Sequence, residues 1–395
     1  MLILFLFFII LNTKLINQVN INGNIGKRYQ ENWLNIISLQ GDFYTMGQQY
    51  GKLMPFEIKL AYEAMVVKTF IDSGVLSYDV LKMELYDNGW NSLTRRQQRL
   101  FEGMSNTSSL PVEKLFILDQ IMYAFVLAKI KGGLKVEPSC SFISINNNGI
   151  FLGRNLDWFA SYIDYSPFLT LVVYNPTDGS NSVANIVYAG IVNVLTGFNS
   201  TGLFLELNSG LEVMGDTLYK DRSRYMNQLL EILFDSNSFE TMHRRIIMSR
   251  PEFANIINIA NKEQSLSFEN APQQVLKRND DGHGVLVATN VYLSEQWNIE
   301  IFETPSYSLK RYYNLLELGF KNKKDMCTEK LKYILEQPLQ INGTIKNGAT
   351  IYEYPNNVPI LTVYSIVADM SNEFFWIRVP NKTPWVQINY TKYFH

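Results

Sequence analysis

Cys140 is one of only two cysteines in a chain of 395 residues, and it opens a stretch whose residue types suit nucleophilic chemistry. Two β-prone runs, Ser141–Ile145 and Ile150–Arg154, flank Asn146-Asn147-Asn148-Gly149, which predicts a β-hairpin with a tight turn. A two-residue loop at Asn148-Gly149 sets Cys140 opposite Asp157, and one at Asn147-Asn148 sets it opposite Asn155. Either register gathers a thiol, the Arg154 guanidinium and the Asp157 carboxylate at the open end of one hairpin. A thiol attacks as thiolate, and nearby cations lower its pKa. The same residues also admit a structural reading, with Cys140 a small buried hydrophobe and Arg154 and Asp157 a surface ion pair.

The elements around the hairpin divide at residue 139/140. Apolar residues between 55 and 139 recur mostly at helical spacing. Pro111 reads as an N1 proline opening one long helix through Leu115, Leu118, Ile121, Met122, Phe125 and Ala128, which stops by Gly132-Gly133. From residue 140 the texture changes to short β runs: Ser141–Ile145, Ile150–Arg154, Phe168–Tyr174, Val183–Val192, Leu203–Leu207, Ile256–Ala260, Gly284–Ala288, Ile299–Phe302 and Phe374–Ile377. Helical stretches are expected at Ser223–Phe234, Glu240–Ser249 and Lys310–Glu317. No repeat or low-complexity linker interrupts residues 140–395, so the chain reads as one large domain with a helical N-terminal part over 20–139.

A hydrophobic content of 47% supports a large core, and 18% charged residues with a net charge of −2 offer no field for nucleic acid. The first eleven residues are apolar and too few to span a bilayer; polar residues follow at once. They read as a secretory leader, residues 1–19, removed near 17–22. Asn-x-Ser/Thr sequons at Asn106, Asn199, Asn342, Asn381 and Asn389 agree with a secreted or lysosomal destination. No later run is apolar enough to form a transmembrane helix. Two cysteines cannot make a disulfide framework, and His243, His283 and His395 lack the spacing of a zinc site, so no metal or cofactor is expected. A Cys–His dyad is equally unsupported.

The block from Cys140 through Gly153-Arg154-Asn155-Leu156-Asp157-Trp158 resembles the N-terminal-nucleophile cysteine hydrolases of linear amides. That group includes choloylglycine (bile-salt) hydrolases, acid ceramidase, N-acylethanolamine acid amidase and the penicillin acyltransferases. The Gly41–Leu53 segment is similar to the one that opens the acyltransferase-like branch. Asn199-Ser200-Thr201-Gly202-Leu203 followed by Leu207-Asn208-Ser209-Gly210, Ala288-Thr289-Asn290, and Ser308–Tyr312 resemble further family segments. The likeness spans roughly residues 36–320, and the Cys-to-Arg spacing is a little shorter than in the bile-salt enzymes.

The resemblance implies an α+β fold, the four-layer αββα sandwich of the Ntn hydrolases. It also implies self-cleavage between Ser139 and Cys140 into two pieces that stay associated. The freed α-amine, with an ordinary pKa of about 8, would then serve as base for the thiol. Asp157 would hold that ammonium, Arg154 would favour thiolate, Asn208 and Asn290 would donate to the oxyanion, and Arg311 would close the network. Asn208 and Asn290 could instead be turn residues capping strands, and Arg311 one half of an exposed pair with Lys310. The substrate class implied is an N-acylated small molecule, with a lipid amide such as a ceramide or N-acylethanolamine favoured. Acyl transfer, a phospholipase-B-like activity, and a non-catalytic secreted binding glycoprotein stay open as rivals.

Overall fold

The computed structural model describes residues 13–133, 139–210, 218–280, 282–299, 306–353 and 360–395. Two β-sheets face one another. The larger runs in the order β1 (Thr13–Ile21), β2 (Asn24–Glu31), β3 (Leu34–Gly41), β6 (Leu169–Pro176), β7 (Val183–Tyr188), β8 (Thr196–Asn199), β9 (Phe204–Ser209), β10 (Asn255–Ala260), β11 (Ser265–Asn270) and β12 (Val275–Arg278). The smaller runs β13 (Val285–Ala288), β4 (Ser139–Asn146), β5 (Ile150–Phe159), β16 (Ile360–Asp369), β17 (Phe374–Arg378) and β18 (Val386–Asn389). A separate two-stranded hairpin joins β14 (Gln340–Ile341) to β15 (Thr344–Ile345). All pairings are antiparallel except β3 with β6.

Helices α1 (Phe43–Leu53), α2 (Pro55–Tyr62), α3 (Arg95–Ser108), α4 (Val112–Asp119), α5 (Ile121–Ile130), α6 (Tyr225–Asp235) and α7 (Phe239–Met248) precede α8 (Ser306–Asn322) and α9 (Thr328–Glu336). Helix α1 lies on β2, β3 and β6, and α6 on β8, while α8 and α9 cover β13, β4, β5 and β16. The order of layers is therefore α/β/β/α. Alternation along β4 explains it: Phe142 faces the other sheet and stacks on Phe204, whereas Ile143 and Ile145 join Leu315, Leu331, Ile334 and Leu335 under α8 and α9.

The crossing of α1 and α3 is set by small residues. A Cβ on Gly47 would lie 2.2 Å from the Leu100 carbonyl oxygen, and one on Gly103 2.1 Å from that of Tyr44. The Gly41–Leu53 segment is thus a packing device, started by the Asp42 carboxylate accepting the Thr45 N–H.

Three expectations change. The N-terminal part is not purely helical, since β1, β2 and β3 precede its helices and extend the larger sheet. The long helix expected after Pro111 is two helices, with Pro111 at the N-cap of α4. They break at Gln120, beside Asp119, whose carboxylate accepts the Val192 and Asn193 N–H groups and the Asn227 amide. The expected Val183–Val192 strand ends at Tyr188. The Ile299–Phe302 strand lies, apart from Ile299, outside the described residues. β1, a mostly exposed edge strand, covers all but the last residue of the 17–22 window in which a leader would be cut.

The sequons separate by environment. Asn342 sits at the exposed β14–β15 turn and Asn381 in an exposed turn after β17. Asn106 is exposed on α3, and Asn389 accepts hydrogen bonds from Thr391 Oγ1 and Lys392 N. Asn199 differs: it is fully buried, and its Nδ2 donates to the Leu233 and Ser236 carbonyls. The fold occupies the atom that a glycan would need.

Candidate active site

β4 and β5 form the predicted hairpin, with Cys140 opposite Leu156 and Ser139 opposite Asp157. This register falls between the two expected ones. The turn holds three residues, Asn147, Asn148 and Gly149, with Asn148 at φ 54° and Gly149 at φ 147°, and the Asn147 N–H bonds to the Gly149 carbonyl. Side chains alternate along a strand. Cys140, Arg154 and Leu156 therefore share the inward face, while Asp157 lies on the opposite face with Ser139. The cysteine and carboxylate are joined through the backbone of Cys140 and through Arg311, not by direct opposition.

Cys140 is buried, and each of its polar atoms has a neighbour. Its Sγ lies 3.8 Å from Arg154 Nη2. Its N–H donates to Asn290 Oδ1 at 2.9 Å, and its carbonyl accepts from Arg311 Nη1 at 2.6 Å. Asn290 Oδ1 also accepts from Arg311 Nη2 at 2.9 Å, while its Nδ2 donates to the Ser209 carbonyl at 2.8 Å. Two obligate donors on Oδ1 fix the orientation of this amide. Asn290 thus aligns the Cys140 nitrogen, where an oxyanion donor was expected. Arg311, from α8, is buried; it pairs with Asp157 at 3.1 Å and bonds Ser308 Oγ. It is no exposed partner of Lys310. Asp157 Oδ1 accepts from Thr362 Oγ1 of β16 at 2.6 Å.

Arg154 is held on its other side by Glu206, which the sequence reading did not single out. Nε lies 3.0 Å from Glu206 Oε2, and both side chains are fully buried. Nη2 donates to the Leu207 carbonyl at 2.8 Å, and Nη1 to the Leu195 carbonyl and Thr196 Oγ1. Asn258 Nδ2 donates to Glu206 Oε1. A signal for Glu206 existed: it is an acid inside the apolar run Leu203–Leu207, and buried acids require partners. Thr362 and Thr196 carried no such signal. Asn208, two residues along β9 from Glu206, shares its inward face. It is fully buried, and neither its Oδ1 nor its Nδ2 has a hydrogen-bond partner among the described residues.

Burial pushes the Cys140 thiol up to about 11; Arg154 pulls it down, while Glu206 and Asp157 push it further up. Burial likewise raises Asp157 to about 6 against the pull of Arg311, Thr362 and Arg154, and raises Glu206 to about 7 against Arg154 and Asn258. A sulfur raised that far is a thiol near neutral pH, and a thiol acts as a nucleophile only when a base takes its proton. His243 lies in α7 and His283 in the turn before β13, away from this cluster. Among the described residues no group of three His, Cys, Asp or Glu side chains could hold a metal ion. No helix among them is long and apolar enough to cross a membrane.

No family model matches the chain, and no curated protein does. Among solved structures it is similar to a mutant of the conjugated bile acid hydrolase from Clostridium perfringens, with TM-score 0.47, 12% identity, and 64% of this chain and 93% of that one covered. It is also similar to the Caenorhabditis elegans N-acylethanolamine-hydrolyzing acid amidase ortholog, with TM-score 0.37, 18% identity and coverages of 58% and 93%. Penicillin V acylase from Agrobacterium tumefaciens gives TM-score 0.40, 13% identity and coverages of 64% and 86%. The layer order and site geometry described above stand on their own contacts.

Proposed function

We propose that the protein is an N-terminal-nucleophile amidase that hydrolyses a linear carbon–nitrogen amide bond in an N-acylated small molecule, with Cys140 as nucleophile. The observation that carries this reading is the grip on the main chain of Cys140: N–H on Asn290, carbonyl on Arg311, sulfur beside Arg154. A cysteine kept for packing also needs its buried N–H and carbonyl paired, but not by an asparagine and an arginine that bond each other, and it needs no guanidinium beside its sulfur.

Maturation begins with attack of the Cys140 sulfur on the Ser139 carbonyl. The C–N bond breaks, the acyl group moves to sulfur, and water hydrolyses the thioester to leave a free α-amine on Cys140. In turnover that amine takes the thiol proton as sulfur bonds the substrate carbonyl, then passes it to the departing amine; water releases the acid. Asn290 and, through Arg311, Asp157 orient the amine. The unpartnered Asn208 amide supplies a donor for the oxyanion, the kind of group whose loss typically costs about 10²–10³ in rate.

A lipid-like acyl group suits the inward face of β5. Beyond Arg154 and Leu156 it presents Trp158, whose ring lies 5.0 Å from Phe125 and 5.8 Å from Tyr162. The apolar first residues and the exposed sequons support a secreted or lysosomal location. The test is N-terminal sequencing of mature protein. Chains starting at Cys140 are expected, with Cys140→Ala staying whole; a fully active protein that stays one polypeptide overturns the proposal.

A further inference from the structure

At the far end of the β4–β5 hairpin the gap between the sheets opens into a cleft of about 460 Å³, within the ordinary range for small-molecule sites. Ser144 lies four residues along β4 from Cys140, about 13 Å at the rise of a strand, so this cleft is separate from the site above. Its apolar lining comes from Ile150 and Leu286 of the smaller sheet, Leu266 of the larger, and Phe239 of α7. Its polar lining is unbalanced, with Glu240, Glu263 and Asp280 set against Lys277 and His243.

A second observation points to a ligand. Ser144 is 2% exposed, lines the cleft, and its hydroxyl has no hydrogen-bond partner among the described residues. A buried hydroxyl left unpaired costs free energy that a ligand group can recover. His243 Nε2 is also buried without a partner among the described residues, while its Nδ1 lies 3.5 Å from Glu240.

We propose that this cleft is a second binding site, for a small amphiphilic amine. The ammonium sits among Glu240, Glu263 and Asp280. The apolar body lies on Leu266, Leu286 and Ile150, and a polar group at the far end pairs with the Ser144 hydroxyl. Anionic ligands of the same shape are disfavoured by the three carboxylates.

Tyramine is the probe, because it combines an ammonium, a ring and a distal hydroxyl. Titration calorimetry on the full chain should give one saturable site, with hydroxyphenylpropionate at least about tenfold weaker. The double variant E263Q/D280N should weaken tyramine about tenfold. Ser144→Ala should erase the preference for tyramine over phenethylamine, about fivefold for one hydrogen bond. Saturating tyramine should leave thiol-probe labelling of Cys140 unchanged, which separates this site from the catalytic one whether or not the amidase reading holds. The proposal is overturned if the anion binds as well as the amine, if E263Q/D280N changes nothing, if Ser144→Ala leaves the preference intact, or if tyramine blocks labelling of Cys140.

Discussion

Replacing Glu206 by Gln swaps a carboxylate for an amide of equal size at the fully buried ion pair with Arg154. Two effects oppose. Removing one partner of a buried pair typically costs about 3–5 kcal/mol because it strands the other charge. Against this, burial already holds Glu206 up at about 7 rather than the ordinary 4.5, a gap worth roughly 3 kcal/mol to the protonated form. The surroundings favour the second effect. Arg154 keeps three neutral acceptors, the Leu207 and Leu195 carbonyls and Thr196 Oγ1. The new amide can turn its oxygen to Arg154 and its NH₂ to Asn258, whose Oδ1 has no partner among the described residues and can turn inward.

The sign follows from the raised pKa. The folded protein holds the Glu206 proton more tightly than the unfolded chain, so this group's stabilising contribution is full below about 4.5 and lost as pH rises through about 7. Glu206→Gln, which mimics the protonated acid, should match wild type near pH ~4 and exceed it near pH ~8 by up to roughly 3 kcal/mol in urea unfolding. Glu206 also pushes the Cys140 thiol upward, so the variant should have a more acidic thiol. The Cβ shift of isotope-labelled cysteine in a Cys327→Ser background reads this by NMR. A loss of about 3–5 kcal/mol near pH ~8 with an unmoved thiol pKa refutes the reasoning, because the pair would then be net favourable and uncoupled from sulfur.

Asp157→Asn can keep its fold by placing its oxygen on Arg311 and its NH₂ on Thr362 Oγ1. Turnover should nevertheless fall about 10²–10⁴-fold, measured beside the melting temperature; full activity would reduce the carboxylate to a structural charge. Asn208→Ala should lower turnover about 10²–10³-fold without loss of stability, since its amide has no partner among the described residues to lose; destabilisation at unchanged turnover would mark it as packing only. Asn199→Gln should cost about 1–3 kcal/mol through its severed buried hydrogen bonds. Glycopeptide mapping of secreted protein should find sugar at Asn342 and Asn381 and none at Asn199.

The hairpin was legible in the sequence because strand propensity, alternation and the Asn-Gly turn are local properties. Residues 140 to 157 carry them within one short stretch. The identity of the turn residues did not decide its length, and one residue of difference moved Cys140 from facing Asp157 or Asn155 to facing Leu156. β16, the strand beside β5 that brings Thr362 to Asp157, went unread, because an apolar run buried on both faces has no periodicity to mark it. Likewise β1, β2 and β3 acquire their place only by pairing in the larger sheet. Local pattern was enough to mark the side chains that could do chemistry: one thiol with an arginine and an aspartate close behind it. It could not show that Glu206 braces Arg154, that Asn290 takes the Cys140 N–H, or that Arg311 reaches Asp157 from α8. These three contacts join residues between 52 and 154 positions apart, and pairings that distant depend on how the layers pack and not on any local preference of the chain.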